Sequence, residues 1–342
     1  MSEDEKALAV VSDDSAIDGA VEMMRRFLGP VICGALQEED VTEVYVNPTD
    51  CEIRVDRRSR GRTSFPCTLD ATRAEMFLNA AAALAGETIG RDAPFLQTTL
   101  PDAVFGRSRL QGFLPPVTRG PAFTIRKRPS AVFPLEDYVV DGTVSDRMLD
   151  VLRDAVAHRS NILVCGGTNT GKTTFANAIL LEIARRFPTD RVVILEDTVE
   201  LQCVSLDHLA LMTPVGGKLS QLVKATLRAS PDRIVVGEVR DEAALDLLDA
   251  WATGHPGGVA TVHASTAEGA LHRLNRLAQR ANVPSQHELI MEAVDLVVQM
   301  EGGGASGLPR RVREIARVEG WDEDDGFMVE PVGDSEDDPP CA

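Results

Sequence analysis

The spacing of apolar positions changes along the first sixty residues from a helical to an alternating pattern. Residues 16–38 repeat their apolar side chains at helical spacing, which predicts an amphipathic helix. Glu43–Val46 and Glu52–Asp56 alternate polar and apolar residues instead, and the turn-forming run Asn47–Asp50 lies between them. The pattern therefore predicts a helix followed by a β-hairpin.

The N-terminal part of the chain continues with one more helix and several strands. Residues 70–85 have the composition of a helix, with Asp70 placed to cap its first turn and Gly86 to end it. Strand-like patterns follow at 96–100, 103–114 and 122–127. We predict a mixed α+β domain over 16–133, which a linker at 134–144 joins to the rest of the chain.

Strands and helices alternate in the remainder of the chain. A helix predicted at 145–158 precedes six apolar runs, which lie at 161–165, 191–195, 233–237, 258–262, 294–300 and 312–318. Alternation of this kind is typical of a mostly parallel sheet flanked by helices. We predict an α/β domain over 145–320, in which Gly302–Gly307 forms a flexible turn between the last two strands.

The net charge of −18 is concentrated at the two ends of the chain. Residues 1–20 hold 6 acidic and 1 basic residue, and residues 321–342 hold 9 acidic and no basic ones, so the body keeps −4. Acidic ends with few bulky apolar side chains are typical of disordered tails, which we predict at 1–15 and 321–342. The near-neutral body gives no strong signal of DNA binding.

Neither a membrane span nor a zinc site is predicted. No stretch reaches the roughly 18–20 apolar residues of a membrane helix, and the acidic N-terminus has no apolar segment of the signal type. The 6 cysteines form no C-x-x-C pair, which argues against structural zinc. These features predict a cytoplasmic protein that reaches a membrane only through partners.

Residues 166–173 read GGTNTGKT, which satisfies the motif G-x-x-x-x-G-K-[ST]. A strand-type run precedes the motif and a helical pattern follows it, which is the context in which it binds phosphate. The loop amides and the helix N-terminus form an anion-binding nest. Lys172 is placed to reach the β- and γ-phosphates and the Thr173 hydroxyl to bind Mg²⁺, so the chain is predicted to bind a nucleoside triphosphate.

Two of the apolar strands end in carboxylates. Glu238 follows the run 233–237, and Glu196 and Asp197 follow another strand. Acids delivered beside a P-loop hold Mg²⁺ or polarise the attacking water, and several of them beside a triphosphate require a divalent cation. We predict Glu196, Asp197 and Glu238 at the metal together with Thr173. The alternative for Glu196 or Asp197 is a local cap or a pair with Arg191.

Basic residues complete the predicted site. His255 and His263 flank a short strand, where an imidazole would sense the γ-phosphate; a structural role is the alternative for each. An arginine that neutralises charge in the transition state is also expected, often from a neighbouring subunit. The candidates are Arg107, Arg109, Arg126 and Arg240.

Several long motifs make the chain resemble the bacterial secretion ATPases, and among them the TrbB-type conjugal transfer ATPases of type IV secretion systems. In order, they are LQGFLPPV at 110–117, FTIRK at 123–127, the P-loop, LEDTVELQ at 195–202, TLRASPDRIVVGEVR at 226–240, LLDAWATGHPGG at 247–258 and GHPGGVATVHA at 254–264. The resemblance covers all but the acidic ends.

This resemblance implies a RecA-like P-loop NTPase domain and hydrolysis of ATP to ADP and phosphate with Mg²⁺. By position it implies nucleotide contacts from the Walker A residues Gly166, Gly167, Thr168, Asn169, Thr170, Gly171, Lys172, Thr173 and Thr174. It implies an aspartate box that contains Glu196, Asp197 and Glu200, and catalytic roles for Lys172, Glu196, Glu238, His263, Arg109 and Arg126. Asn169, Thr170 and Ser230 depart from the usual residues of the family.

The resemblance also implies a homohexameric ring that docks on inner-membrane components of a secretion channel and powers conjugal transfer. Within the superfamily, a pilus motor or a type II secretion ATPase is the alternative, although the latter carries a four-cysteine zinc insert. Two further readings stay open. The chain could be a nucleotide-gated scaffold with little turnover, or a DNA motor, which the near-neutral body disfavours.

Overall fold

The computed structural model describes residues 3–57, 60–128, 132–214, 217–303 and 308–333, and side chains from residue 17 onward except those of 102 and 103. The chain divides into two compact units, Met1–Ser130 and Ala131–Ala342. In the described part of the chain, no helix combines the length and the apolar character that crossing a bilayer requires.

The first unit is a mixed α+β structure. Its helices are α1 (Glu3–Gln37), α2 (Ala71–Leu84) and α3 (Asp102–Phe105). Its strands are β1 (Val41–Val46), β2 (Glu52–Arg57), β3 (Gly61–Thr68), β4 (Phe95–Thr99), β5 (Arg109–Phe113) and β6 (Ala122–Arg126). They form one sheet in the order β3-β2-β1-β6-β5-β4, and all neighbours are antiparallel.

One face of this sheet is buried and the other is polar. The fully buried side chains of Met24 in α1 and Phe77 in α2 pack with Val44 and Ile125 of the strands. Alternate strand residues point to the opposite face, because the side-chain period of a strand is two. That polar face carries Arg109 of β5 and Arg126 of β6.

Several boundaries in the first unit follow the sequence pattern closely. The predicted hairpin is present as β1 and β2, which pair antiparallel. The carboxylate of Asp70 caps helix α2, because it accepts hydrogen bonds from the amides of Thr72 and Arg73. The strand predicted at 103–114 is shorter than expected, since α3 occupies its first residues and only Arg109–Phe113 is extended.

Helix α1 differs from the expected amphipathic helix in two ways. It begins at Glu3, so the backbone of residues 3–15 is helical where the charge pattern predicted a disordered tail. It is also two helical segments joined at Gly29, which has φ 77° and precedes Pro30. Proline lacks the amide donor of a continuous helix, so the chain bends at this point.

The second unit contains seven α-helices and eight strands among its described residues. The helices are α4 (Leu135–Val140), α5 (Asp146–Ala157), α6 (Lys172–Arg186), α7 (Leu219–Thr226), α8 (Ala243–Ala252), α9 (Ala267–Ala278) and α10 (His287–Ala293). The strands are β7 (Ile162–Gly166), β8 (Val192–Glu196), β9 (His208–Met212), β10 (Arg233–Val236), β11 (Val259–Val262), β12 (Leu296–Glu301), β13 (Arg311–Asp322) and β14 (Gly326–Pro331).

These eight strands form one mixed sheet in the order β14-β13-β12-β7-β11-β10-β8-β9. From β12 to β9 all neighbouring strands run parallel, whereas β12, β13 and β14 pair antiparallel. Helices cover both faces, and β7, β8, β10 and β11 are buried throughout. The predicted α/β class is confirmed. Parallel strands buried on both faces give the continuous apolar runs seen in the sequence.

Three segments of the second unit depart from the sequence-based expectations. The predicted linker at 134–144 contains helix α4, whose Tyr138 packs edge-on against Phe175 of α6. Strand β9 was not predicted, because its alternating pattern is short and lies at the edge of the sheet. The predicted disordered tail is instead a hairpin as far as residue 331, and residues 334–342 lie outside the described part.

The C-terminal hairpin is anchored by aromatic contacts. Trp321 stacks on His287 with ring centroids 4.1 Å apart, and Phe327 is buried against both His287 and His272. The acidic run that suggested disorder forms the hairpin turn. There the Asp322 carboxylate accepts hydrogen bonds from the amides of the next two aspartates, at 2.8 and 3.3 Å.

Candidate functional site

The loop between β7 and α6 turns tightly at both ends. A Cβ atom added at Gly166 would lie 2.5 Å from the carbonyl oxygen of Met300, so only glycine fits there. Gly171 has φ 96°, a left-handed conformation that glycine adopts without strain. These two glycines let the chain leave the carboxyl edge of the sheet and enter helix α6 at Lys172.

The loop accommodates both residues that depart from the usual pattern of the family. Asn169 has φ 64°, and asparagine is among the few residues other than glycine that adopt this conformation readily. Thr170 is buried, and its hydroxyl donates a hydrogen bond to the Gly167 carbonyl at 3.0 Å. Both side chains therefore fit the tight turn of the loop.

The side chain of Lys172 is linked to the end of strand β10 through an imidazole. Lys172 is 7% exposed, and its ammonium donates to the Gly167 carbonyl at 2.7 Å and lies 3.3 Å from Nδ1 of His263. The opposite nitrogen of His263, Nε2, lies 3.2 Å from a carboxylate oxygen of Glu238. Lys172, His263 and Glu238, which the sequence predicted at the site, are thus joined by successive side-chain contacts.

Charges around Glu238 favour its ionised form. Burial alone would raise the pKa of this carboxyl, but the hydrogen bond from Arg240 and the nearby positive charges of Arg240 and Lys172 outweigh burial and lower it. Arg240 donates to Glu238 at 2.6 Å. Glu238 is therefore a carboxylate near neutral pH, as a residue that polarises water must be.

The imidazole of His263 is held in its neutral form. Its pKa is lowered from the ordinary value, first because burial penalises the charged ring and then because of the Lys172 charge, while Glu238 acts in the opposite sense. A neutral ring can accept a hydrogen bond from the Lys172 ammonium at Nδ1 and donate one to Glu238 from Nε2. His263 thus couples the lysine to the carboxylate without adding a third charge.

Glu196, at the end of β8, supports the turn that follows it. The side chain is 4% exposed, and Oε1 accepts hydrogen bonds from the amides of Glu200 at 2.9 Å and Leu201 at 2.8 Å. Its Cγ lies 2.9 Å from the position that a Cβ at Gly237 would take, so it packs against the end of strand β10. This arrangement favours a role in shaping the turn over one as a direct metal ligand.

Glu200 faces the P-loop helix more directly than Glu196 does. Its carboxylate accepts a hydrogen bond from the Thr173 hydroxyl at 3.2 Å, and Asn177 of helix α6 holds the same turn by accepting from the Gln202 amide at 2.8 Å. Sequence reasoning placed Glu200 in a motif but gave it no role at the metal. The signal for it was its place in that motif, four residues after Glu196.

The other sequence candidates lie in different surroundings. Asp197 is exposed, and its negative charge is one of those that raise the pKa of Arg240, after the hydrogen bond from Arg240 to Glu238. His255 precedes strand β11 and bonds to the Ala250 carbonyl at 3.1 Å, whereas His263 follows the same strand. Because β11 runs parallel to β7, His255 belongs to the amino edge of the sheet, away from the P-loop. The geometry therefore favours the structural alternative for His255.

The candidate arginines of the first unit lie in strands β5 and β6 or in the turn before β5. Arg109 and Arg126 are paired in register across β5 and β6, and Arg126 lies 3.7 Å from the Glu43 carboxylate. Arg107 has φ 55° in the turn before β5. Arg109 and Arg126 are half-buried and lie on the polar face of the sheet.

The donor atoms at the end of the sheet fit Mg²⁺ and not a softer metal. Among the described residues, no group of three or more His, Cys, Asp or Glu side chains is arranged as a self-contained metal site. The hard oxygen donors here are the Thr173 hydroxyl and the carboxylates of Glu200 and Glu238. Glu200 follows strand β8, and Glu238 follows the neighbouring strand β10. Mg²⁺ prefers such donors and takes its remaining ligands from water and phosphate.

Comparison with known proteins places the chain in a family. Residues 108–301 match the model of the family described as "Type II/IV secretion system protein". The conjugal transfer protein TrbB of Rhizobium radiobacter is 43% identical over 301 residues, which are 88% of this chain and 91% of that protein. The chain belongs to the type II/IV secretion system protein family. The sequence-based identification as a secretion ATPase related to TrbB is confirmed.

More distant relatives agree with this placement. The type IV secretion system protein PtlH of Bordetella pertussis is 32% identical in an alignment of 317 positions that covers 82% of this chain and 91% of that protein. The X-ray structure of the Legionella pneumophila ATPase DotB aligns with a TM-score of 0.58 at 19% identity, over 82% of this chain and 78% of that one. The structural likeness supports the fold alone.

Proposed function

We propose that the protein is a Mg²⁺-dependent ATPase that hydrolyses ATP to ADP and phosphate through a RecA-like P-loop domain. The observation that carries this proposal is the convergence of a buried P-loop lysine, a neutral histidine and an ionised glutamate at the carboxyl edge of the parallel sheet. Ligand sites in open α/β sheets lie at this edge. Acids, lysine and loop amides together match the requirements of phosphoryl transfer.

The phosphate-binding role falls to the loop and its lysine. The amides of residues 166–174 and the N-terminus of the fifteen-residue helix α6 attract the triphosphate. Lys172 binds the β- and γ-phosphates after exchanging its bond to the Gly167 carbonyl for phosphate oxygens. A charge-assisted bond to phosphate is stronger than one to a neutral carbonyl, so binding favours this exchange.

Thr173 and Glu200 are the residues proposed to hold Mg²⁺, with Asp197 and Glu238 close to the same edge of the sheet. When bound, Mg²⁺ supplies charge neutralisation for the transferring phosphoryl group. Glu196 shapes the turn that presents Glu200 and acts as a positioning residue.

Glu238 is proposed to orient and polarise the attacking water. The carboxylate is ionised and is bonded to Arg240 and His263 within the same unit. His263 is proposed to sense the γ-phosphate, because displacement of the Lys172 ammonium toward phosphate changes the bond at Nδ1. The motion of the lysine is thereby transmitted to the residue that activates water.

Arg109 and Arg126 are proposed to complete the charge clamp on the triphosphate in a ring of identical subunits. Head-to-tail contacts that close into a ring allow an arginine of one subunit to act on nucleotide held by the next. The 43% identity to a conjugal transfer protein supports conjugal transfer through a type IV secretion channel as the process that is powered. Docking on inner-membrane components of that channel is part of the same proposal.

Phosphate release measured with the full chain tests the proposal. We expect turnover that requires Mg²⁺, and the rate per subunit should rise with protein concentration as rings form. In Glu238→Gln the rate should fall at least about 100-fold while ATP binding is retained. Lys172→Ala should abolish binding itself. Wild-type protein that assembles with ATP but shows no turnover would support the nucleotide-gated scaffold instead.

A further inference from the structure

The described residues on either side of 304–307, between β12 and β13, include direct neighbours of the P-loop. The Met300 carbonyl occupies the space beside Gly166. A Cβ atom at Gly303 would lie 2.7 Å from the Asn169 carbonyl oxygen and 2.8 Å from Nε of Arg310. Gly303 and Arg310, one on each side of the undescribed residues 304–307, therefore pack against the loop that is proposed to bind phosphate.

Arg310 contacts the P-loop at residues 169–171. Its Nε donates a hydrogen bond to the backbone carbonyl of Asn169 at 3.2 Å, and its Cδ lies 3.4 Å from the position of a Cβ at Gly171. The side chain thus extends over the stretch from Asn169 to Gly171. This stretch contains the two left-handed residues of the loop, with φ 64° and φ 96°.

Arg310 is itself held from the other side. Its carbonyl accepts a hydrogen bond from the Thr143 hydroxyl at 3.4 Å, and the Thr143 carbonyl accepts one from the Val312 amide at 2.8 Å. The Gly303 amide donates to the Leu308 carbonyl at 2.9 Å, which closes the base of the segment. The guanidinium is therefore presented to the loop from a fixed backbone.

The contact determines how one peptide unit of the loop is oriented. The Asn169 carbonyl and the Thr170 amide belong to the same trans peptide, so they point in opposite directions. Because Arg310 holds the carbonyl, the Thr170 N–H is directed to the opposite side of the loop. An anion-binding nest requires successive amides to face the anion.

We propose that Arg310 is a positioning residue for triphosphate binding, which fixes the Asn169–Thr170 peptide so that the Thr170 amide faces the phosphates. The proposal rests on the proposed nucleotide-binding function of this loop. Charged donors make stronger hydrogen bonds to carbonyls than neutral donors do, which suits arginine to this task. Arg310 acts through the loop and makes no contact with the nucleoside.

The test compares ATP with inorganic triphosphate as ligands of the full chain in the presence of Mg²⁺. Arg310→Ala should weaken the binding of both ligands by the same factor, about tenfold, as expected for the loss of one charge-assisted hydrogen bond. KM for ATP should rise with it while kcat stays within about twofold. Arg310→Lys keeps a charged donor and should recover part of the affinity.

Arg313→Ala is the matched control, because Arg313 is also an exposed arginine of this region but pairs with Glu301 at 3.3 Å. Equal affinities in Arg310→Ala and Arg313→Ala would overturn the proposal. So would a loss confined to ATP, which would mean that Arg310 contacts the base or sugar. Wild-type protein that binds neither ligand would instead count against the proposed function of the loop.

Discussion

Arg109 and Arg126 face each other directly across the antiparallel strands β5 and β6. They are register partners, and the neighbouring pair, Leu110 and Ile125, is fully buried on the opposite face. Directly opposed residues of antiparallel strands have Cβ atoms about 4.5–5.5 Å apart. Both arginines lie on the polar face, where Arg126 also lies 3.7 Å from the Glu43 carboxylate.

We expect Arg109→Ala and Arg126→Ala each to lower kcat by about 10³-fold, since arginines that act on a transferring phosphoryl group contribute at least that much. ATP affinity should change little in either variant. Arg62→Ala is the control, because Arg62 lies in the same sheet and pairs with Asp56 at 3.0 Å. Wild-type kcat in both variants would remove these arginines from the mechanism.

Glu196 and Glu200 should respond differently to substitution. Glu196→Ala leaves the amides of Glu200 and Leu201 without their buried acceptor, so we expect the free energy of unfolding to fall by about 1–3 kcal/mol. Glu200→Gln should leave stability within about 0.5 kcal/mol and instead raise the Mg²⁺ concentration needed for half-maximal turnover. Denaturant titrations and Mg²⁺ titrations of both variants separate these effects. An unchanged Mg²⁺ requirement in Glu200→Gln would contradict the assignment.

His263 should make the protein less stable in mild acid. Its pKa in the folded state is lowered by burial and by Lys172, so stability is fully present above the unfolded-state pKa near 6.5. Stability is lost as pH falls from there through the lowered folded pKa, because the unfolded chain binds the proton first. We expect His263→Gln to lose this part of the pH dependence in denaturation experiments. Carboxyl groups of the unfolded chain protonate below about pH 4.5. Because the pKa of Glu238 is lowered in the folded protein, this residue adds its own loss of stability below that pH, and the comparison belongs above it.

Gly237→Ala tests the packing between the ends of β8 and β10. The added methyl would lie 2.9 Å from Cγ of Glu196, a buried atom with little room to move. We expect a loss of about 1–3 kcal/mol in the free energy of unfolding, as for other overpacked sites, together with reduced turnover. Gly34→Ala serves as the control for glycine replacement, because nothing lies within 4 Å of its Cβ position. Equal stability of the two variants would show that Glu196 is not held in this place.

The sequence predicted those parts of the fold that depend on residues close together in the chain. The P-loop and the buried strands could be predicted, because glycine spacing and apolar runs are set by backbone sterics and burial within one segment. Glu238 and His263 followed from their positions at the ends of such strands. These residues meet in the structure at 3.2 Å.

The parts that the sequence did not predict depend on contacts between distant segments. Glu196 and Glu200 both follow the same apolar strand, and only the folded turn shows that Glu200 meets Thr173. Arg310 belongs to no sequence motif that was recognised. It contacts Asn169 only because β12 and β7 are neighbours in the sheet. The acidic run after Trp321 resembled a tail because the charge pattern of a hairpin turn and that of a disordered end are alike.

The stacking of Trp321 on His287 gives the chain an internal optical reporter. The chain has 2 tryptophans, and the other, Trp251, is buried with its indole N–H bonded to the Ile234 carbonyl. The emission of an indole depends on the ring that it stacks on, so the fluorescence intensity of Trp321 should change when the C-terminal hairpin leaves His287 and helix α10. With Trp251 replaced by phenylalanine, the fluorescence intensity would come from Trp321 alone. It would report movement of the C-terminal hairpin in real time through a cycle of nucleotide binding and release.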